Sequence, residues 1–178
     1  MPGSLPPFTG ATIAIVDRGE MASGRTPFAL GAALRTPRIA QKSLLIEISK
    51  HLERQAIGAG ESAVVLATFQ DASFFTPATS ARYAHLVARA AFVGVLGEGM
   101  PSQPIPGVRG CLLTPTDPLV GEWNITVVGP HFAATLVARG LGDGGPDNER
   151  RFEMVLSHDR ALAIRVALTL MSRVWPDP

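Results

Sequence analysis

The side chains best suited to bind a metal or to act as a nucleophile are few and widely spaced in this sequence. No two of the four histidines, His51, His85, His131 and His158, lie within a few residues of each other, as metal ligands on one element usually do. The only cysteine, Cys111, lies in an apolar segment and is interpreted as an inert core thiol. A joint site of Cys111, His131 and His158 would need three strand ends to meet, so no metal site is predicted.

Motifs for covalent catalysis are absent as well. The sequence contains neither the Gly-x-Ser-x-Gly turn of serine hydrolases nor a P-loop. The glycine-rich segment 94–99 follows a predicted strand, but its spacing does not fit a P-loop and it is interpreted as a turn. Asp117 and Glu122 flank another turn and could form a general acid–base pair. The favoured alternative makes Glu122, beside Trp123, a structural hydrogen-bond acceptor, and no enzyme is predicted.

A different group of residues lies where two predicted buried strands end. Residues 69–71 end one strand and are followed by Phe74 and Phe75, and residues 96–98 end the next strand. Ligands gather at the carboxyl ends of parallel strands, so this edge could hold an apolar pocket with a few polar groups. Alternatively, the two phenylalanines only cover the sheet edge. The candidate ligand-binding residues are Phe69, Gln70, Phe74, Phe75 and Arg82, with Glu122 and Trp123 as second choices.

The hydrophobic pattern predicts the elements that must position these residues. Thr36 and Pro37 are typical of a helix N-cap and first turn, and the apolar spacing that follows predicts a helix over 37–57, closed by Gly58 and Gly60. Continuous apolar runs predict strands over 62–69 and 92–96, of the kind buried on both faces. A second helix is predicted over 77–91.

The second half of the chain is predicted to be mostly strand. Strands are expected over 108–113, 122–128 and 151–156, and a helix capped by Ser157 or Asp159 runs to Trp175. Residues 132–139 fit a strand or a helix; a strand is favoured, forming a hairpin with 151–156. Another strand is predicted over 12–16, before a loop with a short helix. The fold class is therefore α/β, leaning toward α+β: a mixed, partly antiparallel central sheet of about six or seven strands flanked by three main helices. The early strands are expected to be parallel and central, and the late ones antiparallel.

The last predicted helix carries two apolar stripes instead of the single stripe that a surface helix needs. Leu162, Val166, Leu170 and Val174 form the first stripe. The second stripe is a candidate interface for a homodimer or another protein, and it consists of Ile164, Leu168, Met171 and Trp175. The alternative is a helix covered on both sides by its own domain.

Composition limits the class of protein. The chain has 178 residues, of which 46% are hydrophobic and 17% charged, so a disordered chain is excluded. A net charge of +1 lacks the basic surplus of a dedicated nucleic-acid binder, and no direct nucleic-acid binding is expected. The N-terminus does not resemble a signal peptide and no apolar run could span a membrane. We therefore expect a cytoplasmic protein with one domain over 11–178, after a flexible segment 1–10.

Several short segments, taken in order over about 36–160, resemble the DICT domain, a sensory domain of bacterial diguanylate cyclases and two-component systems. They are Lys42-Ser43-Leu44-Leu45 with Ser49 and Glu53, Thr68-Phe69-Gln70 with Phe74-Phe75, Arg82-Tyr83 with Leu86, Pro118-Leu119 with Glu122-Trp123, Phe132 with 136–139, and Arg151-Phe152. The resemblance implies an input module that passes a signal to an output domain or protein. It assigns no cofactor and gives no residue a role.

The sequence as a whole predicts a non-enzymatic signal-sensing domain that binds a small molecule or a protein and transmits through its C-terminal helix. Its partners would be a small-molecule ligand, a signalling output protein and a second copy of the chain. The alternative is a scaffold that dimerises or docks a partner without any small-molecule ligand.

Overall fold

The computed structural model describes residues 25–175. The predicted strand 12–16 and the predicted flexible segment 1–10 lie outside these residues. In chain order the helices and strands are α1 (Pro27–Leu34), β1 (Arg38–Gln41), α2 (Lys42–Ala59), β2 (Val64–Asp71), α3 (Pro77–Val87), β3 (Phe92–Glu98), β4 (Arg109–Leu113), β5 (Glu122–Val128), β6 (Ala133–Gly140), β7 (Arg151–Ser157) and α4 (Arg160–Val174). The predicted α/β class is confirmed.

The seven described strands form one mixed sheet in the order β1-β7-β6-β5-β2-β3-β4. β2, β3 and β4 run parallel to one another, and every other neighbouring pair is antiparallel. The prediction that early strands are parallel and late ones antiparallel is right for β2 and β3 and for β5 to β7, but β1, which was not predicted, is early and antiparallel. The prediction that the early strands are central is wrong for β3 and β4, because β5 occupies the middle and β4 forms an edge.

Helices cover both faces of the sheet. α2 and α3 pack on one face, where Leu45, Leu52 and Leu86 meet the side chains of Val65 and Ile125. α1 and α4 pack on the other face. Because successive residues of a strand point to opposite sides, β2, β3, β6 and β7 supply apolar side chains to both layers. The central strand β5 turns Ile125 and Val127 to the α2/α3 layer and the polar Asn124 and Thr126 to the other. The result is a three-layer α/β/α arrangement with two separate cores.

The start of the first long helix differs from its prediction. Residues Arg38–Gln41 pair with β7 as an edge strand, with Arg38 opposite Met154, so α2 begins only at Lys42. The Thr36-Pro37 signal therefore precedes a strand. The same two residue types at Thr76-Pro77 do begin a helix, since the Thr76 hydroxyl accepts a hydrogen bond from the Thr79 amide. At the other end of α2, Gly60 has a φ of +80°, which glycine adopts without strain. No helix among residues 25–175 is long and apolar enough to cross a membrane.

Candidate functional site

A cavity of about 240 Å³ lies between α2, α3 and the carboxyl end of β2. At the sheet it is lined by β2 and its antiparallel neighbour β5, where Phe69 and Trp123 are register partners. Of the seven residues proposed from the sequence, five line this cavity: Phe69, Gln70, Phe74, Arg82 and Trp123. Glu98 lies on a more open neighbouring cleft of about 350 Å³ that shares Gln70 and Phe74.

Aromatic rings held edge to face form much of the cavity wall. Phe69, Phe75 and Tyr83 make three T-shaped contacts with ring centroids 5.2 to 5.7 Å apart. Phe75 itself packs behind the wall and does not line the cavity, so its predicted place in the site is corrected to a supporting one. Next to Phe69, on the neighbouring strand, the Trp123 indole Nε1 donates to Ser49 Oγ at 3.1 Å. These contacts fix the ring orientations without a ligand.

Glu122 faces the other side of the sheet and is not part of the cavity. Neighbouring residues of β5 point to opposite faces, so Trp123 lines the cavity while the buried Glu122 carboxylate points toward α1. There Oε2 accepts hydrogen bonds from the Phe28 amide at 3.2 Å and from Asn124 Nδ2 at 2.9 Å. Burial raises the pKa of Glu122 above its usual range. The residue therefore has the structural acceptor role that the sequence favoured.

An ion pair with one buried member is the main feature of the cavity that the sequence reasoning missed. Arg82 Nε of α3 donates to Glu53 Oε2 of α2 at 2.7 Å, and Glu53 is only 4% exposed. Burial raises the pKa of Glu53, and the Arg82 guanidinium opposes that shift. The spacing of residues on α2 could have indicated this face of the helix. Counted from Lys42, the residues at offsets of four, seven and eleven are Ile46, Ser49 and Glu53, and all four line the cavity.

Ion pairs connect the cavity rim to the segment between β6 and β7. Lys42 Nζ pairs with Asp147 Oδ2 and lies 4.6 Å from the centroid of the Phe74 ring. Arg150 contacts both Asp147 Oδ1 and Gln70 Oε1 at 3.3 Å. Gln70 has a φ of +53°, an uncommon backbone conformation for a residue other than glycine. The backbone at the end of β2 therefore carries strain beside the cavity.

Residues 29–141 match a family described as the sensory domain in diguanylate cyclases and two-component systems, named DICT. The chain belongs to the DICT family. No curated protein matches the sequence. The DICT match covers every residue that lines the 240 Å³ cavity, whereas α4 lies beyond it. The family is a sensory one found in signalling proteins, as the sequence resemblance implied.

The sequence also raised the questions of a metal site and of an interface on α4 in this DICT domain. Among residues 25–175, no three histidine, cysteine, aspartate or glutamate residues cluster in a way that could hold a metal ion. Of the second stripe of α4, Ile164, Leu168 and Met171 are half-buried and Trp175 is 57% exposed. The first stripe, by contrast, is buried against the sheet. Of the two stripes of α4, the outer one therefore offers apolar surface outside the core.

Proposed function

We propose that the chain is a non-enzymatic sensory domain that binds a small molecule in the cavity between α2, α3 and β2. The observation that carries this proposal is the combination of aromatic walls and a buried Glu53–Arg82 pair in one preformed cavity. Small-molecule sites are typically concave and mostly apolar, with few polar groups placed to orient the ligand.

The signal would leave through α4, which packs on the opposite face of the same sheet. β5 contacts both layers: Trp123 lines the cavity, and three residues further along the Thr126 hydroxyl donates to the Ala163 carbonyl of α4 at 3.1 Å. A ligand that shifts β5 would therefore alter how α4 packs against the sheet. Such a shift requires that the ligand bind one arrangement of the domain more tightly than the other. The receiver would be a signalling output protein or a second copy of the chain.

Blocking the cavity should abolish small-molecule binding. Ile46→Trp places a larger side chain into the cavity from α2, whereas Leu44→Trp adds the same group at a position that is 50% exposed and outside it. We expect ligand-observed NMR with a mixture of neutral, anionic and cationic fragments to give hits for the wild-type protein. Ile46→Trp should weaken these hits at least about tenfold, while Leu44→Trp retains them.

Thermal melts should show that both tryptophan variants remain folded. If the same fragments bind all three proteins equally, the cavity is not the binding site and the proposed function is wrong. Native mass spectrometry of wild-type protein purified without added compounds then gives an independent readout. A retained small molecule that Ile46→Trp alone has lost would support the proposal.

The second candidate function is a scaffold that self-associates through the outer stripe of α4. It is favoured by the exposed Trp175, whose ring lies 5.6 Å from Phe92 and has Arg109 stacked over it. Leu168→Lys combined with Met171→Lys should convert a dimer to a monomer in size-exclusion chromatography with light scattering. Leu44→Lys, at an exposed position on α2, should leave the mass unchanged. A wild-type monomer at high protein concentration would contradict self-association.

A further inference from the structure

The size of the cavity limits the ligand to about two rings. An apolar cavity of about 150 Å³ is enough to hold benzene. The cavity beside Gln70 measures about 240 Å³, and drug-sized ligands usually occupy roughly 300–1,000 Å³. A nucleotide or cyclic dinucleotide is therefore too large to be enclosed, whereas a compound of one or two fused rings fits.

The shape of the wall favours a flat ligand. Phe69, Tyr83 and Trp123 are each fixed by an edge-to-face neighbour or a hydrogen bond, and Ile46 and Ile125 complete the apolar surface. Aromatic rings pack on one another in offset or edge-to-face geometries, which add to the stabilisation from buried area. An aromatic ligand can use both contributions, so it suits these walls better than a flexible aliphatic one.

The charges of the cavity disfavour an anion. Each of its three cations is already paired with a carboxylate: Lys42 with Asp147, Lys50 with Glu47, and Arg82 with Glu53. Glu53 is itself the buried member of its pair, so an incoming carboxylate or phosphate would meet a buried negative charge. Burying a charge without a partner is costly, and the cavity therefore favours a neutral molecule.

Two polar groups of the cavity have hydrogen-bonding capacity left. Glu53 Oε2 is taken by Arg82, but Oε1 accepts no hydrogen bond from any residue that the structure describes. Tyr83 is 1% exposed, and its hydroxyl forms no hydrogen bond within residues 25–175. Burial, and then the charge of Glu53, raise the pKa of Tyr83, so that hydroxyl remains a protonated donor. Among residues 25–175 the only fully buried side-chain oxygen without a partner is Asn124 Oδ1, so Glu53 Oε1 and the Tyr83 hydroxyl keep some access to the cavity. A ligand group that both donates and accepts can bind both of them.

We propose that the ligand is a neutral aromatic compound of one or two rings that carries a hydroxyl group, a phenol or a naphthol. This inference rests on the proposed function. The ligand hydroxyl donates to Glu53 Oε1 and accepts from the Tyr83 hydroxyl, while the ring stacks among Phe69, Tyr83 and Trp123. Because a hydrogen bond to a charged carboxylate is among the strong ones, loss of the donor should weaken binding at least about tenfold.

The test compares naphthol with methoxynaphthalene, which accepts but cannot donate, and with naphthoate, which is an anion. Isothermal titration calorimetry should show naphthol binding the wild-type protein at least about tenfold more tightly than either other compound. Glu53→Gln should reduce the preference for naphthol over its methyl ether to less than about threefold. Tyr83→Phe should weaken the binding of both naphthol and its methyl ether and leave the ratio of their affinities unchanged, since both accept a hydrogen bond.

The outcomes separate the ligand class from the function. Equal binding of naphthol and methoxynaphthalene to the wild type, or tightest binding of naphthoate, overturns the hydroxyl-aromatic assignment. The assignment is also overturned if none of the three compounds binds while other fragments bind the wild type and not Ile46→Trp. The cavity is then a binding site for a different class of ligand. If no fragment of any class is lost in Ile46→Trp, the proposed function itself fails.

Discussion

Replacing Gly110 with alanine is expected to remove at least about 4 kcal/mol of stability, the largest effect of any single substitution considered for this domain. A Cβ at this position would lie 1.8 Å from the Pro101 carbonyl oxygen, and this neighbour is backbone that cannot rotate away. Moving the loop would break the hydrogen bond from the Gly110 amide to the Ser102 carbonyl and expose the buried Met100. Thermal unfolding should occur roughly 10 °C lower or more, or the protein should fail to fold.

Gly58→Ala is the matched control. Gly58 lies inside α2, and a Cβ added there meets no atom within 4 Å. Alanine should leave the melting temperature unchanged or raise it slightly, because glycine in a helix costs about 0.5–1 kcal/mol relative to alanine. A Gly110→Ala protein that melts within about 2 °C of the wild type, a shift of roughly 1 kcal/mol or less, would show that the loop across β4 is not held as described.

The hydrophobic pattern was sufficient to predict the bounds of elements whose local sequence signals agree with one another. β5 has its predicted bounds, since residues 122–128 form a β-rich run between a turn cluster and Gly129-Pro130. Of the two predicted caps of α4, Ser157 and Asp159, it is the Asp159 carboxylate that accepts from the Leu162 amide, at 2.9 Å. The helix predicted to begin at Pro37 was wrong for a different reason. Arg38–Gln41 is extended because β7 offers it a pairing partner more than 100 residues away in the chain, and no local pattern can report that.

The site was only partly predictable for a related reason. The carboxyl ends of β2 and β3 meet because the strands are parallel, so Phe69, Gln70 and Phe74 could be proposed from local pattern and a general rule. Arg82 was also proposed for the site, but its pairing with Glu53 depends on how α2 packs against α3, and Glu53 looks like an ordinary charge on a solvated helix face. Glu122 was misplaced because the sequence did not define which side of β5 faces which helical layer.

Replacing Arg82 with methionine is expected to destabilise the domain by about 2 kcal/mol at neutral pH. Breaking a fully buried pair costs roughly 3–5 kcal/mol, but the Arg82 side chain is 35% exposed and water screens part of the interaction. The substitution leaves the buried Glu53 carboxylate without its guanidinium. Burial already raises the pKa of Glu53 in the folded state, and loss of Arg82 removes the group that opposes this shift, so the folded-state pKa rises further.

The pH dependence distinguishes this cause from lost packing. A glutamate whose pKa is higher folded than unfolded contributes stability fully below its unfolded pKa of about 4.3, and that contribution is lost as the pH rises through the folded pKa. The deficit of Arg82→Met, measured by urea denaturation, should therefore be small near pH 4 (where both states are largely protonated) and grow toward neutral pH.

Adding Glu53→Gln should restore much of the stability at neutral pH, because no buried charge remains. Arg89→Met, at an exposed position just beyond the end of α3, should have little effect at either pH. A deficit of equal size at both pH values would mean that Arg82 stabilises the domain through packing of its alkyl chain and not through the charge of Glu53.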